Sequence, residues 1–345
     1  MIKKDIKDFT LEELKNQMNA CGEPSYRARQ LFSWLYKKGK NNFAEMSDVP
    51  AASRQKLEKN YYIGSFIPVE RLKSSDGTEK FLFGLRDSNF IETVLIYSKK
   101  RSTVCLSTQV GCKYGCAFCA SGLLGFIRNL SVSEIVNQVL FLEFGLKRKI
   151  TNIVFMGMGE PLDNYENVKK AIVILNSSEG MNMSAGRITV STCGIVPGIK
   201  ALKALKAGIN LSVSLHAADN RLRNTLMPIN KIYPLEEVMM ACRSFAETKK
   251  GDITFEYVLI KGKNDSLDDA GRLAALAKKV NAKINLLSYS PIPQSKLRPS
   301  GEKTIKAFAS SLEKKKTKVT LRRSKGADIA AACGQLAVRI TSKQK

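Results

Sequence analysis

The sequence is short of several things, and each shortage removes a class of explanation. It has no apolar run long enough to cross a membrane, which takes about 18–20 residues. Its first residues, MIKKDIKDFTLEELK, are charged and lack the apolar core of a secretory leader. A cytoplasmic protein is expected, whose eight cysteines are reduced thiols open to metal or redox chemistry rather than disulfide staples. The chain holds a single histidine, His216, which argues against a His-rich zinc site and leaves one candidate for any His-dependent step. Acidic residues are scarce: 31 Asp and Glu against 56 Lys and Arg give a net charge of +25. The natural partner of that charge is a polyanion, most simply nucleic acid. No low-complexity linker or internal repeat interrupts the 345 residues, enough for one large core with an accessory domain.

Residues 1–62 read as a helical accessory domain. LEELKNQM and YRARQLFSWLYKKG carry apolar residues at three- and four-residue spacing and present basic faces. Residues 63–98 read as an antiparallel connector, with turns at Asp76-Gly77 and at Asp87-Ser88-Asn89. From residue 99 to 337 short apolar runs alternate with helical stretches: TVCLST, NIVFMG, RITVST, NLSVSLH, ITFEYVLI, KINLLSYSPI and KVTLRR. Repeated β-α alternation predicts an α/β fold with a parallel sheet and right-handed crossovers, doubly wound or curled into a barrel. The strand ends then place Gly159, Glu160, Ser191, Ser214, His216 and Ser290 at one rim, where such sheets carry their chemistry. Residues 338–345 form a basic tail.

The stretch VCLSTQVGCKYGCAFCASG concentrates four cysteines. Three form C-x3-C-x2-C: Cys112, Cys116 and Cys119. A structural zinc site wants four ligands, a thioredoxin-like Cys116/Cys119 pair leaves Cys112 unexplained, and a ferredoxin supplies four cysteines per cubane. Three thiolates on one loop suit a [4Fe–4S] cluster with one iron open, and Gly111 and Gly115 let the loop wrap closely. With Phe118 inside the last pair, this spacing resembles the cluster loop of the radical SAM superfamily. That resemblance implies S-adenosylmethionine (SAM) chelated at the open iron and contacts to it from Gly159, Glu160, Ser191, Ser214, Leu215, His216 and Ser290.

Longer motifs narrow the resemblance. CLSTQVGCKYGCAFCASG, FMGMGEPLDNYENV, ITVSTCGIVPGI, SVSLHAADNRLRNTLMPIN and GADIAAACGQL resemble the RlmN family, which methylates adenine at C2 in RNA, and its sister family Cfr, which methylates at C8. The family fold is a partial (β/α)6 barrel with an N-terminal helical domain and a β-hairpin extension. Adenine C2 is not nucleophilic, so a radical route with the cofactor carrying the hard step answers a real chemical problem. The resemblance implies that Cys333 becomes an S-methylcysteine. Its methylene radical then joins adenine C2, and Cys105 attacks the Cys333 sulfur to release the product and leave a transient disulfide. Two SAM are used per turnover. Glu92, inside the apolar strand FIETVLI, is implied as the proton acceptor, and partial burial would raise its pKa toward a useful range.

The same resemblance implies 23S rRNA near the peptidyl-transferase centre and tRNA beside the anticodon as substrates, a flavodoxin or ferredoxin as electron donor, and a monomer. Ser290 departs from the family, which usually has Asn there; its hydroxyl is shorter and lacks the amide's second function. Cys21, Cys193 and Cys242 read as packing residues. Arg27, Arg29, Lys37, Lys38, Lys40 and Lys314–Lys316 are expected to hold RNA phosphates. The rivals are the C8-methylating sister family, an iron–sulfur redox protein that binds RNA, and a zinc-bound RNA-binding module.

Overall fold

The computed structural model describes residues 3–337 apart from Lys99, Lys206, Lys249, Lys250 and Arg323. The expected basic tail at 338–345 lies outside the described residues. The N-terminal part is helical, as its periodicity predicts: α1 (Leu11–Ala20), α2 (Arg27–Tyr36) and α3 (Ala51–Asn60), with short strands β1 (Lys4–Asp5) and β2 (Tyr61–Tyr62) pairing in parallel. Thr10 and Glu13 close a capping box that starts α1. One buried cation joins this part to the rest. Lys7 Nζ donates to Asn41 Oδ1 at 2.8 Å, the Gly64 carbonyl at 2.8 Å and Asn137 Oδ1 at 2.9 Å. Asn137 belongs to α5 (Val132–Leu140), whose Ser133 N–H also donates to Asp8 Oδ1 at 2.8 Å.

The connector folds as the antiparallel strands β3 (Pro68–Lys73), β4 (Glu79–Gly84) and β5 (Phe90–Ser98). Both turns sit where the sequence predicts: Gly77 has φ +84° and Ser88 +63°, conformations that Gly adopts freely and turn residues tolerate. β5 then pairs antiparallel with β6 (Arg101–Cys105). From β6 the sheet turns parallel through β9 (Asn152–Phe155), β10 (Ile188–Thr192), β11 (Asn210–Ser214), β12 (Ile253–Leu259), β13 (Lys283–Ser288) and β14 (Val319–Arg322). Between β6 and β9 lies a two-stranded ribbon, β7 (Gln109–Gly111) with β8 (Phe126–Asn129), enclosing the short helix α4 (Ala120–Leu123). The expected six-stranded partial barrel is therefore present, extended by a seventh parallel strand, β14, and continuous with the antiparallel strands in one ten-stranded sheet.

Helices α6 (Tyr165–Asn176), α7 (Val196–Ala204), α8 (Asn220–Leu226), α9 (Leu235–Ala246), α10 (Leu267–Lys279) and α11 (Glu302–Lys314) fill the crossovers. They cover the outer sheet face; Tyr257 of β12, for example, stacks on Phe308 of α11 at 5.6 Å between ring centroids. The inner face is different. Side chains alternate along a strand, and register partners share a face. The pairings Lys80↔Val94↔Cys105↔Val154↔Thr189 and Ser191↔Ser212 lead on to Ser214↔Glu256↔Asn285 and Leu287↔Arg322. Lys80, Glu92, Cys105, Ser191, Ser214, Glu256 and Arg322 thus all face one way.

Candidate active site

The three loop cysteines follow β7. Gly111, at φ +74°, admits no side chain: a Cβ there would lie 1.9 Å from the Gly125 carbonyl oxygen, which instead accepts the Cys112 N–H at 2.9 Å. Gly115 also has positive φ, +58°. The loop is anchored outward, Ala117 N–H to the Leu226 carbonyl at 3.0 Å. It is also anchored to the chain's other end, because Ala120 N–H donates to the Gly334 carbonyl at 2.7 Å and Ser121 Oγ to the Leu336 carbonyl at 2.5 Å. Cys333, some 214 residues from Cys119 by subtraction of their numbers, is held against the cysteine loop by those bonds.

A cavity of about 1010 Å³, counting its open mouth, collects Cys112, Cys116, Cys119 and Cys333 with Glu160, Ser191, Ser214 and His216. Gly159 reaches φ +94°, and a Cβ there would lie 2.4 Å from Gln109 Cβ. That close approach lets Gln109 Oε1 accept the Glu160 N–H at 2.8 Å. The Glu160 carboxylate is buried and accepts N–H bonds from Leu162 at 3.0 Å and Cys193 at 2.7 Å. His216 takes φ +53°, its Nδ1 accepts the Val258 N–H at 3.1 Å, and its ring meets Phe118 edge-on at 4.6 Å. Burial, with the nearby Arg223 cation, pulls its pKa down to about 3, so it is neutral and carries its proton on Nε2.

Arg223 escaped the sequence reading. Fully buried, it donates to the Cys193 carbonyl at 2.6 Å, the Leu215 carbonyl at 3.2 Å, the Ser214 carbonyl at 3.4 Å and Asn230 Oδ1 at 2.7 Å. One guanidinium thereby orders the ends of both β10 and β11. Leu215 itself is a core side chain that presents only backbone here.

The proposed chemistry residues sit as follows. Cys333 is exposed at the cavity, not within a helix. Cys105 does not line the cavity; it is buried on the inner face, where burial first, and then Cys333, push its thiol well above the usual range. A resting thiolate is therefore not the state this environment favours, because the Met156 N–H and the Arg322 charge only partly offset the desolvation of a charge. Glu92 is buried rather than solvent-facing. Its Oε1 meets Lys80 Nζ at 2.8 Å, and its Oε2 has no hydrogen-bond partner among the described residues. Burial raises its pKa and Lys80 opposes that rise. Lys80 Nζ also donates to the Ala330 carbonyl at 3.2 Å, linking Glu92 to the segment that carries Cys333. Ser290 is not brought to the cavity: its hydroxyl bonds to Ser324 Oγ at 3.1 Å, and Tyr289 lines the space instead. Strand alternation explains the offset, since Asn285, Leu287 and Tyr289 share a phase and Ser290 does not.

The expected RNA-holding cations are partly committed within the protein. Lys38 lies 3.3 Å over the Trp34 ring, Lys40 pairs with Glu45 at 2.6 Å, and Lys37 with Glu179 at 3.5 Å. Arg29 and Lys314–Lys316 remain exposed.

The family model of the radical SAM superfamily matches residues 106–274, and that of the ribosomal RNA large subunit methyltransferase N-terminal domain matches residues 4–63. A dual-specificity RNA methyltransferase RlmN from Syntrophobacter fumaroxidans is 46% identical over 333 residues, 96% of this chain and 97% of that protein. A probable dual-specificity RNA methyltransferase RlmN from Clostridium novyi is 44% identical over 334 residues, covering 96% and 97%. The chain belongs to the RlmN family of radical SAM RNA methyltransferases. Its structure also matches that of a radical SAM methyltransferase from Sphaerobacter thermophilus, with a TM-score of 0.91 at 42% identity, over 96% of this chain and 99% of that one.

Membership in the RlmN family implies a [4Fe–4S] cluster and SAM, and the residues present fit both. A cubane takes each thiolate on a different iron. Burial holds the three thiols protonated, Cys112 at about 12, and a multiply charged metal core is what would draw off those protons. The buried Glu160 acceptor suits an ammonium group, and the serine hydroxyls suit a ribose.

Proposed function

We propose that the chain methylates C2 of adenine in 23S rRNA near the peptidyl-transferase centre and in tRNA beside the anticodon. It acts in the cytoplasm, as a monomer, with a flavodoxin or ferredoxin as electron donor and two SAM per turnover. The observation that carries this reading is the convergence, on one cavity, of Cys333 with the cluster loop and the Glu160–His216 rim. Cys112, Cys116 and Cys119 would hold the cluster; Gly159, Glu160, Ser191, Ser214 and His216 would hold SAM. Bound there, the pair supplies a methyl group and, after one-electron reduction, a hydrogen-abstracting 5′-carbon radical.

The remaining work belongs to this chain's residues. Cys333 carries the methyl carbon on sulfur and presents it to the flipped adenine. Glu92 takes the proton that leaves C2, a task to which a carboxylate of raised pKa with one free oxygen is suited. Cys105 attacks the Cys333 sulfur, the S–C bond breaks with its electron pair going to the carbon, that carbon takes a proton to become the product's methyl group, and a Cys105–Cys333 disulfide awaits two electrons from a thiol reductant. Because burial disfavours the Cys105 thiolate, its proton is expected to leave as it attacks the Cys333 sulfur.

The test is anaerobic incubation with SAM, reductant and unmodified rRNA, followed by nucleoside mass spectrometry. 2-Methyladenosine is the expected product; 8-methyladenosine would move the chain to the sister chemistry, and no methylated adenine from iron-loaded enzyme would overturn both. A Cys105→Ala variant should trap RNA covalently on Cys333, and normal turnover by that variant would remove Cys105 from the mechanism.

A further inference from the structure

The polar groups assigned so far occupy the cavity's β9–β11 side. Its other side, β12–β14, carries polar groups with no assigned role. Glu256 of β12 is buried and lines the cavity. Ser212 Oγ at 2.8 Å and Asn285 Nδ2 at 3.0 Å both donate to its Oε1, which fixes the carboxylate; Oε2 makes no hydrogen bond among the described residues. Tyr289, just past β13, lines the same cavity at 4% exposure, and its buried hydroxyl has no hydrogen-bond partner among the described residues. A buried, unpartnered hydroxyl beside a cavity costs free energy unless a ligand satisfies it. Arg322 ends β14 on the inner face, in register with the cavity-lining Leu287. It is exposed and makes no hydrogen bond or ion pair within 4 Å among the described residues.

We propose that Glu256, Tyr289 and Arg322 form the receptor for the target adenosine nucleotide. This rests on the activity proposed above. The chemistry matches adenine group by group. Its exocyclic amine donates and Glu256 Oε2 accepts; its ring nitrogens accept and Tyr289 Oη donates; the phosphate stays toward solvent, where the exposed Arg322 guanidinium, whose charge also acts on Glu256, can meet it. Cys333 is tied to the same side, since Gln335 Nε2 donates to the Pro291 carbonyl at 3.0 Å, two residues beyond Tyr289. A base seated against Glu256 therefore lies beside the methyl-carrying sulfur. SAM brings an adenine too, so the source of the base is what the experiment must separate.

The experiment compares the wild type with Glu256→Gln, Tyr289→Phe and Arg322→Ala, each checked for iron content and circular dichroism. The probes are an unmodified rRNA fragment, the same fragment with purine (no amine) at the target, and SAM alone by equilibrium dialysis. The wild type should bind the adenine fragment about ten-fold more tightly than the purine one, the loss expected for one hydrogen bond to a charged group. Glu256→Gln should lose that preference, and Tyr289→Phe should weaken both RNAs, with SAM affinity unchanged in each. Arg322→Ala should weaken both RNAs and lower the salt slope of binding by about 1. Weakened SAM binding with intact RNA discrimination would assign the subsite to the cofactor and overturn the proposal, as would discrimination retained in Glu256→Gln. If the wild type makes no methyladenosine, the activity fails instead, and the RNA-binding comparison still decides this receptor.

Discussion

Lys80→Met isolates the electrostatics of Glu92. The two side chains are 10% and 5% exposed and sit 2.8 Å apart, and Met keeps most of the volume while removing the charge. Glu92 is then left without its charged partner in a buried site. Kept ionised, that carboxylate costs about 3–5 kcal/mol. It escapes by taking a proton, at a cost of about 1.4 kcal/mol for each unit by which the solvent pH exceeds its new pKa. Its folded pKa already lies above the ordinary value of 4.5. A carboxyl raised on folding binds more protons folded than unfolded, so its contribution to stability falls as pH rises from about 4.5 through the folded pKa. Removing Lys80 pushes the folded pKa higher and carries that loss further toward neutral pH. The expected result is a small melting-temperature gap between wild type and Lys80→Met near pH 5, growing to several degrees near pH 8, where roughly 3 kcal/mol or more is at stake. Glu92→Gln in the Lys80→Met background should close most of the gap. Scanning fluorimetry of the three proteins under argon measures all of this. An equal gap at both pH values, or no rescue by Glu92→Gln, would refute the buried-pair argument.

Three further outcomes follow from particular contacts. Lys7→Met leaves Asn41 Oδ1, Asn137 Oδ1 and the Gly64 carbonyl without their donor and should cost about 2–4 kcal/mol in thermal unfolding while leaving iron content intact. Gly111→Ala should abolish iron incorporation, because its Cβ would sit 1.9 Å from the Gly125 carbonyl; Gly115→Ala, with open space around it and only the φ of +58° to oppose it, should retain iron. His216→Asn should differ from the wild type in its pH dependence. The folded wild-type ring has a pKa of about 3 against 6.5 in the unfolded chain, so wild-type stability is lost as pH falls below 6.5, by about 3 kcal/mol at pH 4.5. The gap between the two proteins should narrow over that range, and a constant gap would refute a neutral buried imidazole.

What was legible in the sequence was mostly local. Three thiols at fixed spacing with glycines between them specify a wrapping loop, and Gly111 shows why: its conformation and its crowding both exclude a side chain. The β-α alternation was legible for the same reason, one period giving way to another. Residues that act by distant pairing were not. Arg223 sits in an ordinary polar helical stretch, and nothing in NRLRNTL says that its guanidinium will be buried to hold three carbonyls, of Cys193 just past β10, Ser214 at the end of β11 and Leu215 after it. Lys80 looked like one more surface cation in a chain of 56 basic residues. Ser290 shows a different limit. A continuous apolar run such as LLSYS fixes that a strand is buried but not its phase, and one residue of phase moved the cavity contact to Tyr289.

The antiparallel extension is the part whose purpose the sheet register explains best. An isolated parallel barrel would end at β6, with Cys105 on an unpaired edge. β5 and β4 continue the sheet beyond it, and the register sets Val94 opposite Cys105 and Lys80 opposite Val94 on the same inner face. Glu92, two residues from Val94, falls on that face as well. The Ser107 hydroxyl fixes its backbone by donating to its carbonyl at 2.6 Å. The proposed proton acceptor and the proposed resolving thiol, on neighbouring strands, are thus set on one face by register. The C-terminal segment that carries Cys333 is pinned to both sides: to β4 through Lys80 and the Ala330 carbonyl, and to the cysteine loop through Ala120 and the Gly334 carbonyl. The Cys333 thiol, proposed to meet the cofactor, the base and Cys105 in turn, hangs between these two anchors, and the positive φ values of Ala330 (+51°) and Gly334 (+82°) mark where its short span bends. Gly334→Ala would place a Cβ 2.8 Å from the Phe118 carbonyl, so it should uncouple that span from the loop, slowing methyl transfer to Cys333 while iron content stays unchanged. Intact-protein mass spectrometry of the Cys333 methyl group reads that outcome directly, and full methylation at the wild-type rate would show that the anchor at Gly334 is dispensable.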